Sequence, residues 1–303
     1  METVYLYNES FSVLPRIKRG LKGVLGKEVR GPEAVFAGLV KGLTELGVDY
    51  KINQKPISQI QTVCVVSGIK TLKWAIEQKK LGKLKKIMAG PNLVIAPTDR
   101  GGILKSPLIN RIIVPSLWVE DFYIKSASAL AGKISVWPAG VDVPRAGGSE
   151  KSTEFLIYNK LGKGKLFFDV SNYLKHHKFK FGVVDYGRFK QQEYFKLLES
   201  SRYLIYLSES ESQGLAMFEA WARNVPVLVW DKGFFEHENV RVEGNVASPY
   251  LREEAGGRFR DFREFQEILK SFLQTAFKPK EYIEKNFTFK IAAENFLKVL
   301  NDE

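Results

Sequence analysis

The 303 residues are 45% hydrophobic and 13% aromatic, enough to pack two α/β halves of about 150 residues each and more than one hydrophobic core usually serves. No run approaches the roughly 20 uninterrupted apolar residues a spanning helix needs, METVYLYNES lacks the basic-then-apolar pattern of a leader, and the single Cys64 excludes an internal disulfide, so the chain reads as cytoplasmic with a core thiol. The net charge of +12 lies almost wholly in the first half, where residues 1–145 hold 22 Lys/Arg against 11 Asp/Glu and residues 146–303 hold 24 against 23; such a half attracts phosphates of any kind without choosing among nucleic acid, an anionic membrane or an acidic polymer.

In chain order, apolar β-rich runs stand at VYLY (4–7), TVCVV (62–66), LVIA (93–96), RIIVP (111–115) and ISVWP (134–138), each read as a strand. The segments between them read as helices. Pro32 to Gly47 places Val35, Leu39, Val40, Leu43 and Leu46 on one stripe, with a proline to start and a glycine to stop. The alternation predicts a parallel, doubly wound sheet. PRAGGSEKST after Val143 has no apolar period and reads as a linker, dividing the chain into 1–147 and 148–303. The runs EFLIY (154–158), KFKFGVV (178–184), YLIYL (203–207) and VPVLVW (225–230) alternate with helical patterns such as QQEYFKLLES, so a second Rossmann-like sheet follows. The tail KEYIEKNFTFKIAAENFLKVL reads as two consecutive helices broken around Asn286 to Thr288, the last of them placed to pack back on the first half.

The chemistry concentrates in YLIYLSESESQGLAMFEAWARNVPVLVWDKG. A strand ends near Leu207, a helix starts near Gly214 and another strand begins at Val225, which is one βαβ unit. A helix N-terminus beside the carboxyl end of a parallel strand gathers free amides and the positive end of the dipole, worth up to about 2 kcal/mol toward an anion. Gly214 lets a phosphate approach the backbone. Glu219, about one and a half turns into the helix, can accept two hydrogen bonds from a vicinal diol such as that of a ribose. Glu211 lies nearer the phosphates and any sugar attached to them. Spacing alone leaves open the reading of Glu211 as a solvated loop charge and Glu219 as an exposed helix residue, which is how most glutamates behave.

ESQGLAMFEAWARNVPVLVWD resembles the E-x7-E signature of retaining GT-B glycosyltransferases, notably glycosyltransferase family 4. GPNLVIAP (90–97), IIVPSLWVEDFY (112–123) and ISVWPAGVDV (134–143) are similar to first-domain strands and turns of that family, so the resemblance spans residues 31–275. It implies two Rossmann-like domains facing a central cleft, a nucleotide diphosphate sugar as donor, and transfer of a hexose-type sugar to a glycan or lipid-linked glycan hydroxyl. It further implies that Glu219 binds ribose, that Glu211 faces the donor sugar, and that the amides of Gly214, Leu215 and Ala216 meet the diphosphate. Lys160 would neutralise the departing diphosphate, with Lys163 and Lys165 as rivals that spacing does not separate. Tyr186 and Gly187 occupy the base-binding loop, with ordinary packing as the other reading of Tyr186. Gly31, before Pro32, corresponds to the glycine-rich loop that closes over the phosphates, although an insert at 8–31 precedes it.

One departure concerns the histidine that many relatives place in the first domain: here the histidines are His176, His177 and His237. Asp99, in PTDRGG, is the candidate polar substitute at the cleft, or a turn aspartate. With no DxD pair and no His/Cys cluster of metal spacing, no required metal or cofactor is expected. The clusters PRIKRGLKGVLGKEVRG (15–31) and KKLGKLKK (79–86), the second continuing a helix through Leu72, Trp74 and Ile76, read either as solvated faces or as a surface for anionic lipid. Nucleic acid is not expected, because neither zinc spacing nor an RNP-like sheet accompanies the charge. A GT-B fold that holds a nucleotide or glycan without transfer is the rival class.

Overall fold

The computed structural model describes residues 3–9, 31–54, 61–145 and 150–302. In the first half, β1 (Val4–Asn8), α1 (Gly31–Glu45), β2 (Tyr50–Ile52), β3 (Thr62–Ser67), α2 (Ile69–Lys80), β4 (Lys86–Asn92), the helical turn α3 (Asp99–Gly102), β5 (Arg111–Val114), α4 (Leu117–Ser126) and β6 (Ile134–Val136) follow one another. Their strands form a six-stranded sheet in the order β2-β1-β3-β4-β5-β6, parallel throughout. Adjacent parallel strands need a crossover, which the intervening segments supply.

The second half contains β7 (Thr153–Asn159), α5 (Lys165–His176), β8 (Phe181–Asp185), α6 (Gln191–Ser200), β9 (Ser201–Leu207), α7 (Leu215–Ala222) and β10 (Val227–Trp230), then the hairpin β11 (Phe234–His237) and β12 (Val240–Glu243), β13 (Gly256–Phe259) and α8 (Phe262–Gln274). Its five-stranded parallel sheet runs β13-β10-β9-β7-β8. Strands buried on both faces read as continuous apolar runs, and Phe155 to Tyr158 in β7 and Leu204 to Leu207 in β9 are buried throughout. The chain closes with α9 (Pro279–Asn286) and α10 (Phe289–Asn301). Thr288 separates them, its side chain accepting the Ile291 amide at 3.2 Å as the cap of α10.

The apolar run 93–96 is not a strand. The strand lies earlier, at Lys86–Asn92, pairing Ile87 with Val63 and Met88 with Cys64. The amides of Ile95 and Ala96 instead donate to the Asp99 carboxylate at 3.1 and 2.9 Å, which curls the segment into a turn and removes it from the ladder. Similarly, α2 stops at Lys80, so 79–86 is a helix end, a turn and the first residue of β4 rather than one helix. Residues 146–149 of the linker, and the cluster 15–31 apart from Gly31, lie outside the described residues.

α10 packs on α1 in the first half. Val35, Phe36, Leu39 and Leu43 turn into the first-half core, while Gly38 and Gly42, four apart on another face, leave a groove that Phe289 fills. A Cβ on Gly42 would overlap the Phe289 carbonyl and the Ala293 methyl. Trp137 Nε1 donates to the Ala292 carbonyl at 2.8 Å and Lys41 pairs with Asp142 at 2.6 Å. The α1–α10 contact thus combines a close backbone approach that only a missing side chain permits with side-chain contacts beside it. Gly42→Ala should destabilise the protein by about 1–3 kcal/mol through overpacking. Gly31→Ala, which meets nothing within 4 Å, should stay within about 0.5 kcal/mol; urea unfolding of both variants checks the contrast.

Candidate functional site

The site is assembled where strands β7, β8 and β9 end, at the carboxyl edge of the second sheet, the position that open parallel sheets offer to ligands. Lys160 follows β7, and its amide bonds the Leu207 carbonyl at 2.8 Å, which fixes it beside the end of β9. Its ammonium lies 2.6 Å from Glu211 Oε1 and 4.4 Å from the centre of the Tyr186 ring, beyond β8. Glu211 Oε1 also accepts from Tyr206 Oη and Ser208 Oγ, each at 2.9 Å. The side chains of Lys160 and Glu211 are 24% and 14% exposed, so this is a largely desolvated pair, with the ammonium and both hydroxyls converging on the one carboxylate oxygen Oε1. Lys165, by contrast, pairs with Asp169 one helical turn along α5 and is 89% exposed, and Lys163 is exposed. The structure thereby separates the three lysines.

Gly214 caps α7 in the left-handed conformation, φ 87°, and a Cβ there would also collide with the Met217 methyl. Both facts call for glycine. The Gly214 carbonyl accepts from Met217 and Phe218, leaving the amides of Leu215 and Ala216 with no hydrogen bond among the described residues, as the first turn of a helix must. The Ala216 carbonyl, in turn, receives the Tyr194 hydroxyl at 2.8 Å.

Glu219 is partly buried on α7. Gln191 Nε2, from the start of α6, donates to its Oε1. Desolvation pushes the Glu219 carboxyl up to about 7, with the Gln191 hydrogen bond and the Arg223 charge pulling the other way. Burial likewise raises Tyr158, Tyr194 and Tyr206, and the charge of Glu211 raises all three further, so these hydroxyls stay protonated donors at neutral pH. Tyr158 and Tyr206 stack at 4.8 Å and back the ion pair from below. Tyr186 is 60% exposed, and Gly187 has φ 77° in the turn that follows.

The first half closes the site from the other side. Trp118 Nε1 donates to the Glu211 carbonyl at 3.0 Å, and Gln213 both accepts from the Ala139 amide at 2.9 Å and donates to its carbonyl at 2.6 Å. The Tyr250 hydroxyl reaches the Pro115 carbonyl at 2.6 Å. Asp99 is spent on its own turn, and no contact among the described residues joins it to Lys160, Glu211 or Glu219; the turn role is the one its geometry shows. Asp99 does come within 4.8 Å of potential ligand atoms on His237 and Glu238, the hairpin having carried this histidine across to the first half, where it lies 6.2 Å from Phe122. Gly31 begins α1, exposed and with open space around it. Sequence reasoning did not find Gln191, Tyr206, Ser208, Trp118 or Gln213. Gln213 lies inside the motif, and Tyr206 and Ser208 precede it closely, so all three were within its reach, whereas Gln191 and Trp118 arrive from distant segments.

No family model matches the sequence, and no curated protein matches it. Solved structures do. A sucrose-phosphate synthase from Thermosynechococcus elongatus superimposes with a TM-score of 0.58 at 11% identity, over 99% of this chain and 98% of that one. The apo form of the lipopolysaccharide outer core galactosyltransferase WaaB gives 0.58 at 12% identity, over 99% of both chains. A mutant of S. aureus TarM, solved with Fondaparinux, alpha-GlcNAc-glycerol and UDP, gives 0.53 at 12% identity over 79% of this chain, which spans only 55% of TarM. The fold is therefore GT-B: two parallel-sheet α/β halves facing one another.

The raised carboxyl of Glu219 has a consequence for stability. Its folded value of about 7 exceeds the ordinary 4.5, so the proton is held more tightly in the folded chain. No stability is lost below pH 4.5. Between 4.5 and 7 the unfolded chain ionises first and stability falls, and above 7 the whole penalty applies. Glu219→Gln should be more stable than wild type at pH 8 by on the order of 1–3 kcal/mol, with the advantage shrinking toward pH 4.5; unfolding curves across that range check it.

Proposed function

We propose that the protein is a retaining, metal-independent glycosyltransferase of the family 4 type. It transfers a hexose-type sugar from a nucleotide diphosphate sugar to a hydroxyl of a glycan or lipid-linked glycan. The single observation that supports this best is the Lys160–Glu211 pair lying at the foot of a helix N-terminus with unpaired amides. A diphosphate drawn to the amides of Leu215 and Ala216 also meets Lys160, which exchanges a carboxylate for phosphate oxygens. Glu211 keeps Tyr206 and Ser208 as donors and turns its free oxygen to the hydroxyls of the donor sugar.

Bond breaking then moves negative charge onto the diphosphate, where Lys160 and the α7 amides stabilise it without reorganising. The acceptor hydroxyl attacks from the same face, its proton passing to the departing diphosphate, so no protein nucleophile is required. Positioning supplies much of the remainder. Glu219, once ionised, accepts both hydroxyls of the ribose, while Tyr186 and Gly187 border the base and Gly31 approaches the phosphates from the first half. The basic first half, including the exposed Lys80, Lys83, Lys85 and Lys86, would hold the enzyme at an anionic membrane where a lipid-linked acceptor resides.

Thermal stabilisation by a panel of nucleotide sugars, together with slow release of nucleoside diphosphate, tests the reading. Lys160→Ala should lower that release by about 100-fold or more, and Glu219→Ala should weaken nucleotide binding about 10- to 100-fold, as expected for a charged hydrogen-bonding partner. Wild-type affinity for the nucleotide should tighten between pH 6 and 8 as Glu219 ionises, and Glu219→Gln should show no such rise. Binding without release by any donor would favour the non-transferring module, and stabilisation by no member of the panel would remove the reading altogether. Sedimentation with vesicles should require anionic lipid and fade with salt.

A further inference from the structure

A second concave surface lies in the first half, between α2 and the turn that contains α3. This groove of about 650 Å³ is lined by Lys73, Lys80, Arg100 and Lys105, with Ile76 and Ile103 beneath them. Glu77 is the single carboxylate in the lining, and it is already paired with Lys80 at 2.8 Å. Lys73, Arg100 and Lys105 are exposed and make no ion pair among the described residues. Three uncompensated cations around an apolar floor are mutually repulsive, and a low-dielectric wall on one side concentrates their field into the groove.

The backbone is shaped to keep them there. Arg100, Gly101 and Gly102 adopt left-handed conformations in succession, with φ 53°, 74° and 68°. Glycine takes this region freely, but an arginine does not. The absent side chain at Gly102 matters for a second reason: a Cβ there would strike the Lys105 side chain, which crosses directly over it. The turn is tied to the second half as well. Thr98 Oγ donates to Glu238 Oε2, in the turn between β11 and β12, at 2.7 Å, while Arg100 and Gly101 line the groove.

We propose that this groove is a phosphate site for the acceptor: it takes a phosphate carried on an organic group whose carbon framework covers Ile76 and Ile103. As an acceptor site it rests on the glycosyltransferase reading, whereas its anion binding does not. The occupant is distinct from the donor diphosphate, which belongs at Lys160 in the other half.

Calorimetric titration with inorganic tripolyphosphate at low and at 0.3 M salt tests the anion site on the intact chain. Binding should survive in Lys160→Ala, weaken by about tenfold or more in Lys73→Glu/Arg100→Glu, and fade with salt as exposed charges do. Arg100→Gly, which suits the left-handed position and protects the fold, should weaken it about threefold. Unchanged binding in the double variant with an unchanged unfolding midpoint would overturn the proposal, as would complete loss in Lys160→Ala, which would leave the donor site as the sole anion site. Should donor hydrolysis be absent while groove binding behaves as stated, the glycosyltransferase reading fails and the anion site stands. Where hydrolysis is present, the groove variants should leave its rate unchanged while raising the KM for phosphate-bearing acceptor saccharides and not for their dephosphorylated forms. An equal rise for both forms would overturn the acceptor assignment.

Discussion

An ammonium and a carboxylate taken largely out of water together need compensating partners, and the groups that supply them organise this end of the second half around Lys160 and Glu211. The lysine is held by a backbone bond to the end of β9, and Glu211 is surrounded by hydroxyls from Tyr206 and Ser208. Because Tyr206 is buried in a parallel sheet and stacked on Tyr158, the position of the acid is set by the sheet rather than by the loop that bears it. The amide of Glu211 bonds the Val246 carbonyl and its own carbonyl accepts from Trp118. The seven residues between β9 and α7 are thereby held by contacts from both halves, and the helix they feed begins with two amides free of hydrogen bonds among the described residues.

This arrangement makes the first half part of the site although it contributes none of the charged groups at Lys160. Trp118 and Gln213 cross from one half to the other within the same loop. The chain passes between halves near Val141 and returns near Thr288, where these two residues form a parallel bridge. The return leads into α10, which the glycines of α1 admit at backbone distance. Covalent connection, bridge and helix packing all lie at one end of the seam, and the Trp118 and Gln213 hydrogen bonds lie at the loop between β9 and α7. The halves also meet through apolar packing beside that loop, where Phe235 lies 4.9 Å from Trp118 and Val242 and Val246 enter the first-half core.

How much of this was legible depended on whether the signal was local. The alternation of strands and helices, the parallel sheets, the break before α10 and the unit around Gly214 follow from apolar runs punctuated by glycine and proline, and the structure has them. β13 was hidden because Gly256 and Gly257 read as breakers; in the fold they are there because a side chain at Gly256 would collide with the Val227 carbonyl of the neighbouring strand. The hairpin of β11 and β12 was equally hidden, its turn formed by Glu238 and Asn239 at positive φ rather than by glycine. Lys160 could not be told from Lys163 and Lys165 because the choice rests on which residue is bonded to β9, a fact of register between strands about 50 residues apart in sequence. Gln191 faces Glu219 for the same kind of reason, since only the packing of α6 on α7 brings them together.

The two glutamates that the sequence makes look alike have different partners. Glu211 accepts from two hydroxyls and has a salt-bridge partner at 2.6 Å; Glu219 accepts from a neutral amide, and its desolvated surrounding lifts its carboxyl to about 7 against that hydrogen bond. Under the proposed function, a phosphate arriving at Lys160 would compete with Glu211 for the same ammonium, one anion replacing another while Tyr206 and Ser208 remain as donors to the displaced carboxylate. Glu219 has no cation at hydrogen-bond distance of its carboxylate among the described residues, so in that proposal its ionisation would be supported by donors that the ligand brings, which a vicinal diol would do twice over. The two acids thus differ in whether a compensating charge already stands beside the carboxylate, and the difference follows from whether a lysine or a glutamine stands opposite.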